Sequence, residues 1–162
     1  MSEVITDTSP IQYLHQTNFL NLLPALYGQI IMPQAVADEL AEGRSQGVLL
    51  PDPDSLSWIT LRQVSEPILV PDLPNIGKGE REVLSLALMM PDALVILDDA
   101  LARNYARQLD LAFTGTLGVL LKAKQLGHVE SIAPILDQLN ALNFRVAQST
   151  AAAVLKLANE GN

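Results

Sequence analysis

Two stretches put acids where chemistry would use them. Leu94-Val95-Ile96-Leu97 runs straight into Asp98-Asp99, and Val4-Ile5-Thr6 runs into Asp7. Short, fully apolar runs read as strands buried on both faces. Two such strands, each ending in Asp, would deliver their acids to one edge of a parallel sheet, the edge where open α/β sheets keep their sites. Carboxylates gathered together are costly unless something positive lies between them. The chemistry this suits is a divalent-metal site. The chain has no cysteine, which excludes disulfides, zinc–thiolate sites and thiol nucleophiles. Hard oxygen donors without thiols favour Mg2+ or Mn2+.

Helical spacing adds further acids. In Pro33-Gln34-Ala35-Val36-Ala37-Asp38-Glu39-Leu40, Val36 and Leu40 share a face, and Glu39 lies beside it. Glu80 heads the stripe Val83, Leu84, Ala87 and Leu88, at a helix N-terminus that tolerates a carboxylate. Glu82 falls about 200° round that helix from Glu80 and points elsewhere. Asp7, Glu39, Glu80 and the doubled Asp98-Asp99 are the candidate ligands. Asp7 also has a plainer reading, as the N-cap of the helix that Thr8-Ser9-Pro10 opens, and Glu80 has one as a carboxylate satisfying a helix dipole. Thr8, Ser9 or Thr116 would orient waters. Thr114-Gly115-Thr116, between strand and helix, presents hydroxyls and N–H groups suited to an anion or a metal-bound water. Arg103 and Arg107 follow Asp99 at one-turn spacing. They are either exposed ion pairs or cations that meet a phosphate. Arg103, Lys122 and Thr116 are the expected substrate contacts.

The elements that must position these groups follow in order. The pattern predicts a strand at 4–6, then a helical stretch through Ile11, Leu14 and Leu22 broken near Asn18. Gln29 to Met32 is a second strand, and Pro33 starts the helix that carries Glu39. Residues 43–54 read as a Gly/Pro/Asp loop with room for a short helix, and Trp58 to Leu61 as an edge strand. Residues 66–78 form a long Pro-rich connection of the kind that borders sites. The helix from Gly79, the strand at 94–97, a helix at 100–109, a strand at 111–114 and a helix from Thr116 to Gly127 complete the core. Later helices through Ile132 to Leu142 and Gln148 to Asn159 carry no evident chemistry. Phe144-Arg145-Val146 is a connector.

At 162 residues and 49% apolar content the chain can bury a substantial core, and it reads as a single domain over 1–162, with a core at 4–127 and C-terminal helices at 130–159. The net charge of −8 argues against a nucleic-acid partner, since phosphates repel an acidic surface. A metal-binding carboxylate cluster would itself inflate that count, so the charge does not decide. Without a basic, apolar N-terminal segment or a run of about 18 apolar residues, a cytoplasmic protein with no membrane contact is expected. His15 and His128 read as ordinary surface residues.

The pieces Val4 to Pro10, Met32 to Leu40, Gly79-Glu80-Arg81-Glu82, Val95 to Asp99 with Ala102-Arg103, and Thr114 to Gly118 with Lys122-Ala123-Lys124 together resemble the PIN-domain family, and within it the compact VapC-like toxins. They come in family order. The resemblance implies a three-layer α/β/α sandwich with a central parallel sheet. It also implies a Mg2+- or Mn2+-dependent ribonuclease whose acids are Asp7, Glu39, Glu80 and Asp99, with Asp7, Glu80 and Asp99 holding metal, Asp98 as substitute or partner for Asp99, and Glu39 completing the cluster. The glutamate at 80 and the doubled aspartate at 98–99 depart from the commonest pattern. Also implied are an RNA substrate, a cognate antitoxin in a type II toxin–antitoxin pair, and a homodimer. The rival reading is a non-catalytic PIN-like module that binds metal or a partner. Phosphoryl transfer to an aspartate is disfavoured, because the paired acids follow a late strand and Asp7 is followed by Thr8-Ser9.

Overall fold

The computed structural model describes residues 2–65, 73–144 and 146–161. Five parallel strands form one sheet: β1 (Val4–Thr6), β2 (Ile30–Pro33), β3 (Ile59–Arg62), β4 (Leu94–Ile96) and β5 (Ala112–Thr114), in the order β3-β2-β1-β4-β5. The register pairs Ile5 with Ile31 on one side and with Val95 on the other, and Val95 with Phe113. From β1 the chain steps outward to β2 and β3, then crosses back to β4 and β5 on the opposite side. Parallel neighbours require crossover helices, and these cover both faces of the sheet. The result is a three-layer α/β/α sandwich.

The helices are α1 (Thr8–Gln16), α2 (Leu22–Tyr27), α3 (Gln34–Ser45), α4 (Lys78–Met89), α5 (Ala100–Gln108), α6 (Thr116–Gln125), α7 (Ala133–Ala141) and α8 (Gln148–Leu157). Asn18 takes φ 67° and ends the α1 run where the sequence predicts a break. The helix carrying Glu39 extends to Ser45, further into the expected loop, and a 3-10 turn at Pro53–Ser55 supplies the short helix. The edge position of β3 matches its exposure. Of the expected 66–78 connection, 66–72 lie outside the described residues, as does Arg145 in the later connector.

One apolar cluster runs from Val4 to Ala158 and includes Ile5, Ile11, Leu40, Ile96, Leu120 and Ile132. α4 departs from a one-faced pattern. It lies against β1, β2 and β4 and also against α3, so Glu82 through Ala87 are all buried, while Leu88, expected inward, is 38% exposed. Glu82 is spent on structure. Its Oε1 accepts the Ala35 N–H at 3.0 Å in the first turn of α3, satisfying one of the free N–H groups there. Among the described residues, no helix is long and apolar enough to cross a membrane.

Candidate active site

The site lies at the carboxyl edge of the sheet, where β1 and β4 sit side by side and the connections leave in opposite directions. The ladder continues past the strand ends: the Asp7 N–H donates to Ile96 O and the Leu97 N–H to Thr114 O, both at 2.9 Å. The backbone is therefore held through the residues that carry the acids. Open parallel sheets place ligands in this crevice.

Asp7 forms its floor. It is 5% exposed and occupies the N-cap position of α1, yet its side chain makes no capping hydrogen bond. The cap reading therefore fails. Burial pushes its pKa from 3.8 to about 8, with Glu80, Glu39 and Asp98 raising it further and the Thr8 N–H partly offsetting them. These three are the acids whose charge Asp7 feels.

Each is held by a specific local device. Glu80, in the first turn of α4, accepts the Gly77 N–H through Oε2 at 2.9 Å. Glu39 is exposed on α3, accepts the Gly79 N–H through Oε1 at 3.2 Å, and accepts the Thr8 hydroxyl through Oε2. Asp98 accepts the Ser9 hydroxyl at 2.9 Å and both the N–H and the hydroxyl of Thr116 at 2.7 Å. Thr8, Ser9 and Thr116 thus orient carboxylates, where the sequence had suggested waters. Gly115 makes the last arrangement possible: a Cβ there would stand 2.7 Å from Asp98 Oδ1 and 3.2 Å from Leu97 O.

Several expected roles change. Asp99 is exposed, and its Oδ2 accepts the Ala102 N–H at 2.9 Å as the N-cap of α5. It is Asp98 that joins Asp7, Glu39 and Glu80. The signal was present in the sequence: in Asp98-Asp99-Ala100, the second aspartate directly precedes the helix, which is where a cap belongs. Thr116 is fully buried and committed to Asp98, so it is no substrate contact. Lys122 sits with its ammonium 4.4 Å from the Tyr27 ring centre. It lies about 9 Å along α6 from Thr116 at 1.5 Å per residue, towards the edge where β2 begins rather than the edge with the acids. Arg103 does border the site, in a cavity it shares with Asp98.

Among the described residues, no three of these side chains stand close enough together to hold an ion as placed. The donor chemistry nevertheless fits a hard divalent cation. All four acids offer carboxylate oxygens, none forms a salt bridge to a described Lys, Arg or His, and the buried one holds its proton to about pH 8. A set of acids with no described protein cation to balance it suits a cation from solution.

A five-stranded parallel α/β sandwich with four acids at its switch point defines a class of site before any sequence comparison. A family model described as a PIN domain matches residues 3–160. The chain belongs to the PIN-domain family, whose members are in general nucleases. Comparison with curated proteins finds no match.

Proposed function

We propose that this protein is a Mg2+- or Mn2+-dependent ribonuclease of the VapC-like subgroup: a single cytoplasmic domain, acting as the toxin of a type II toxin–antitoxin pair, homodimeric and restrained by a cognate antitoxin. The observation that carries the nuclease reading is Asp7, buried and held protonated to about pH 8 by its depth and by Glu80, Glu39 and Asp98. A structural aspartate gains nothing from such surroundings, whereas a metal ligand acquires its charge when the ion arrives. The subgroup, antitoxin and dimer rest on the resemblance of the ordered motifs.

Asp7, Glu80 and Asp98 would hold the ion, and Glu39 would hold it directly or through water. The ion would supply Lewis-acid stabilisation of phosphate charge and a more acidic water. Ser9 and Thr116 fix the Asp98 carboxylate, and Thr8 fixes Glu39, so the donors lose little freedom on binding. The Gly77 N–H holds Glu80, one of the charges that Asp7 feels.

The test is cleavage of a mixed pool of structured RNAs with Mg2+, with Mn2+ and with chelator, Asp7→Asn and Asp98→Asn running alongside. Metal-dependent cleavage that both variants lose supports the reading. One observation favours the rival, a metal- or partner-binding module: the acids are engaged by N–H and hydroxyl donors and do not close round an ion as placed. Metal binding by calorimetry without cleavage of any RNA would decide for the module.

A further inference from the structure

The acids account for only part of the crevice. Beside Asp98, on the side away from Glu39, a cavity of about 360 Å³ opens between α5, β5, α6 and α8. Its walls include Arg103, Phe113, Gly118, Phe144 and Thr150. Among the described residues its charged wall groups are Arg103 and Asp98, and Arg107 lies just outside the wall. The guanidiniums of Arg103 and Arg107 lie 5.1 and 5.3 Å from the centre of the same Phe113 ring. Neither has a carboxylate partner among the described residues. Arg107 donates to Asn104 Oδ1, but the Nε of Arg103 is buried with no hydrogen-bond partner among the described residues. A buried N–H without an acceptor is costly and rare in a finished structure.

We propose that this cavity binds one unstacked nucleotide of the RNA strand adjoining the bond held at the acids, its base between Phe113, Phe144 and the rim of α8 and its phosphate on Arg103 and Arg107. The proposal rests on the ribonuclease reading for the identity of the strand. A guanidinium laid against an aromatic ring keeps its fork pointing outward for bidentate contact with an oxyanion. Flat aromatic and guanidinium surfaces are what splayed-out RNA bases stack on. The size lies within the range of small-molecule sites, and the shared wall at Asp98 makes the occupant continuous with whatever the acids hold. An acidic peptide could use the two arginines, but its carboxylates would leave the apolar part of the wall, Leu117, Val146 and Val154, without a partner.

The experiment uses the full chain in chelator, so that no cleavage occurs. A short single-stranded RNA, adenosine and uridine monophosphates, inorganic phosphate and hexaglutamate are each titrated by calorimetry and by NMR. Arg103→Met and Thr150→Trp are compared with the wild type. Thr150 is an exposed residue of the cavity rim, so its replacement fills the cavity without touching the core. The expected result is RNA and monophosphate binding without metal, tighter than inorganic phosphate and weakened on the order of tenfold in both variants. Absent binding, or binding that both variants retain, overturns the proposal. Phosphate binding as tightly as the monophosphates reduces the cavity to an anion site and overturns the nucleotide. Hexaglutamate displacing RNA assigns it to a protein partner instead. The two readings separate cleanly. Nucleotide binding without cleavage under any condition sinks the ribonuclease and leaves the cavity's role. Metal-dependent cleavage with no nucleotide effect in the variants sinks the cavity's role alone.

Discussion

Replacing Asp7 with Asn should stabilise the metal-free protein while abolishing its activity. The folded state holds the Asp7 proton to about pH 8, whereas an unfolded aspartate releases it at 3.8. Between those values the native chain binds more protons than the unfolded chain, so stability falls as pH rises through the window. The contribution is fully present below the unfolded value and lost once pH passes the folded one. Each unit costs about 1.4 kcal/mol, so by pH 7 the wild type has given up about 4 kcal/mol, an upper bound because local relaxation and water entry relieve part of it. Asparagine has nearly the same shape and no charge to desolvate. Thermal melts in chelator from pH 3.5 to 9 should therefore show the variant gaining on the wild type as pH rises. At about 2–4 °C per kcal/mol for a chain of this size, the gain at neutral pH is on the order of 10 °C. Adding Mg2+ or Mn2+ at pH 7 should raise the wild-type midpoint and barely move the variant. Curves for the two proteins that run parallel across the whole range would refute the assignment of Asp7 as the buried, proton-holding acid.

Asp98→Asn should eliminate cleavage and weaken the Ser9 and Thr116 hydrogen bonds, whereas Asp99→Ala should cost about 1 kcal/mol of stability through its lost cap and keep cleavage; cleavage kept by the first variant and lost by the second in a gel assay would return Asp99 to the site. Gly115→Ala places a methyl 2.7 Å from Asp98 Oδ1, and should weaken metal binding by calorimetry more than it lowers the melting midpoint. Glu160 accepts the Ile132 and Ala133 N–H groups and pairs with Lys124 at 3.2 Å. Burial pushes its pKa up, but those N–H groups and the Lys124 ammonium outweigh it and hold the carboxyl below its ordinary value. Glu160→Gln should accordingly cost stability at neutral pH, and the deficit should vanish as pH falls through the folded pKa, read from denaturant midpoints at pH 7 and pH 3.

The parts of the fold legible in the sequence were those dictated by period and punctuation. Apolar runs marked the strands of the sheet, Asn18 and Gly127 marked helix ends, and the apolar-then-acid pattern marked the edge where the acids gather. What remained hidden depended on contacts between distant residues. The choice between Asp98 and Asp99 turns on where β4 stops and α5 starts, one residue either way. The burial of Glu82 could not follow from a single apolar stripe, because α4 is covered by the sheet on one side and by α3 on another. The hydroxyls of Thr8, Ser9 and Thr116 were visible as polar groups near acids, but only the tertiary register shows that they grip carboxylates. Lys122 looked available because spacing along one helix says nothing of Tyr27 on another.

The central position of β1 has a consequence for a chain made from its N-terminus onward. Ile5 needs both Ile31 and Val95 as neighbours, so the first strand emerges from the ribosome with one of its two partners still to be synthesised. Asp7 cannot be enclosed until β4 has arrived, and Asp98 cannot be fixed until Thr116 has followed. Long-range parallel pairing of this kind is slow to form. A growing chain therefore carries its acids unassembled, beside the RNA that is being read to make it, until the fifth strand is out.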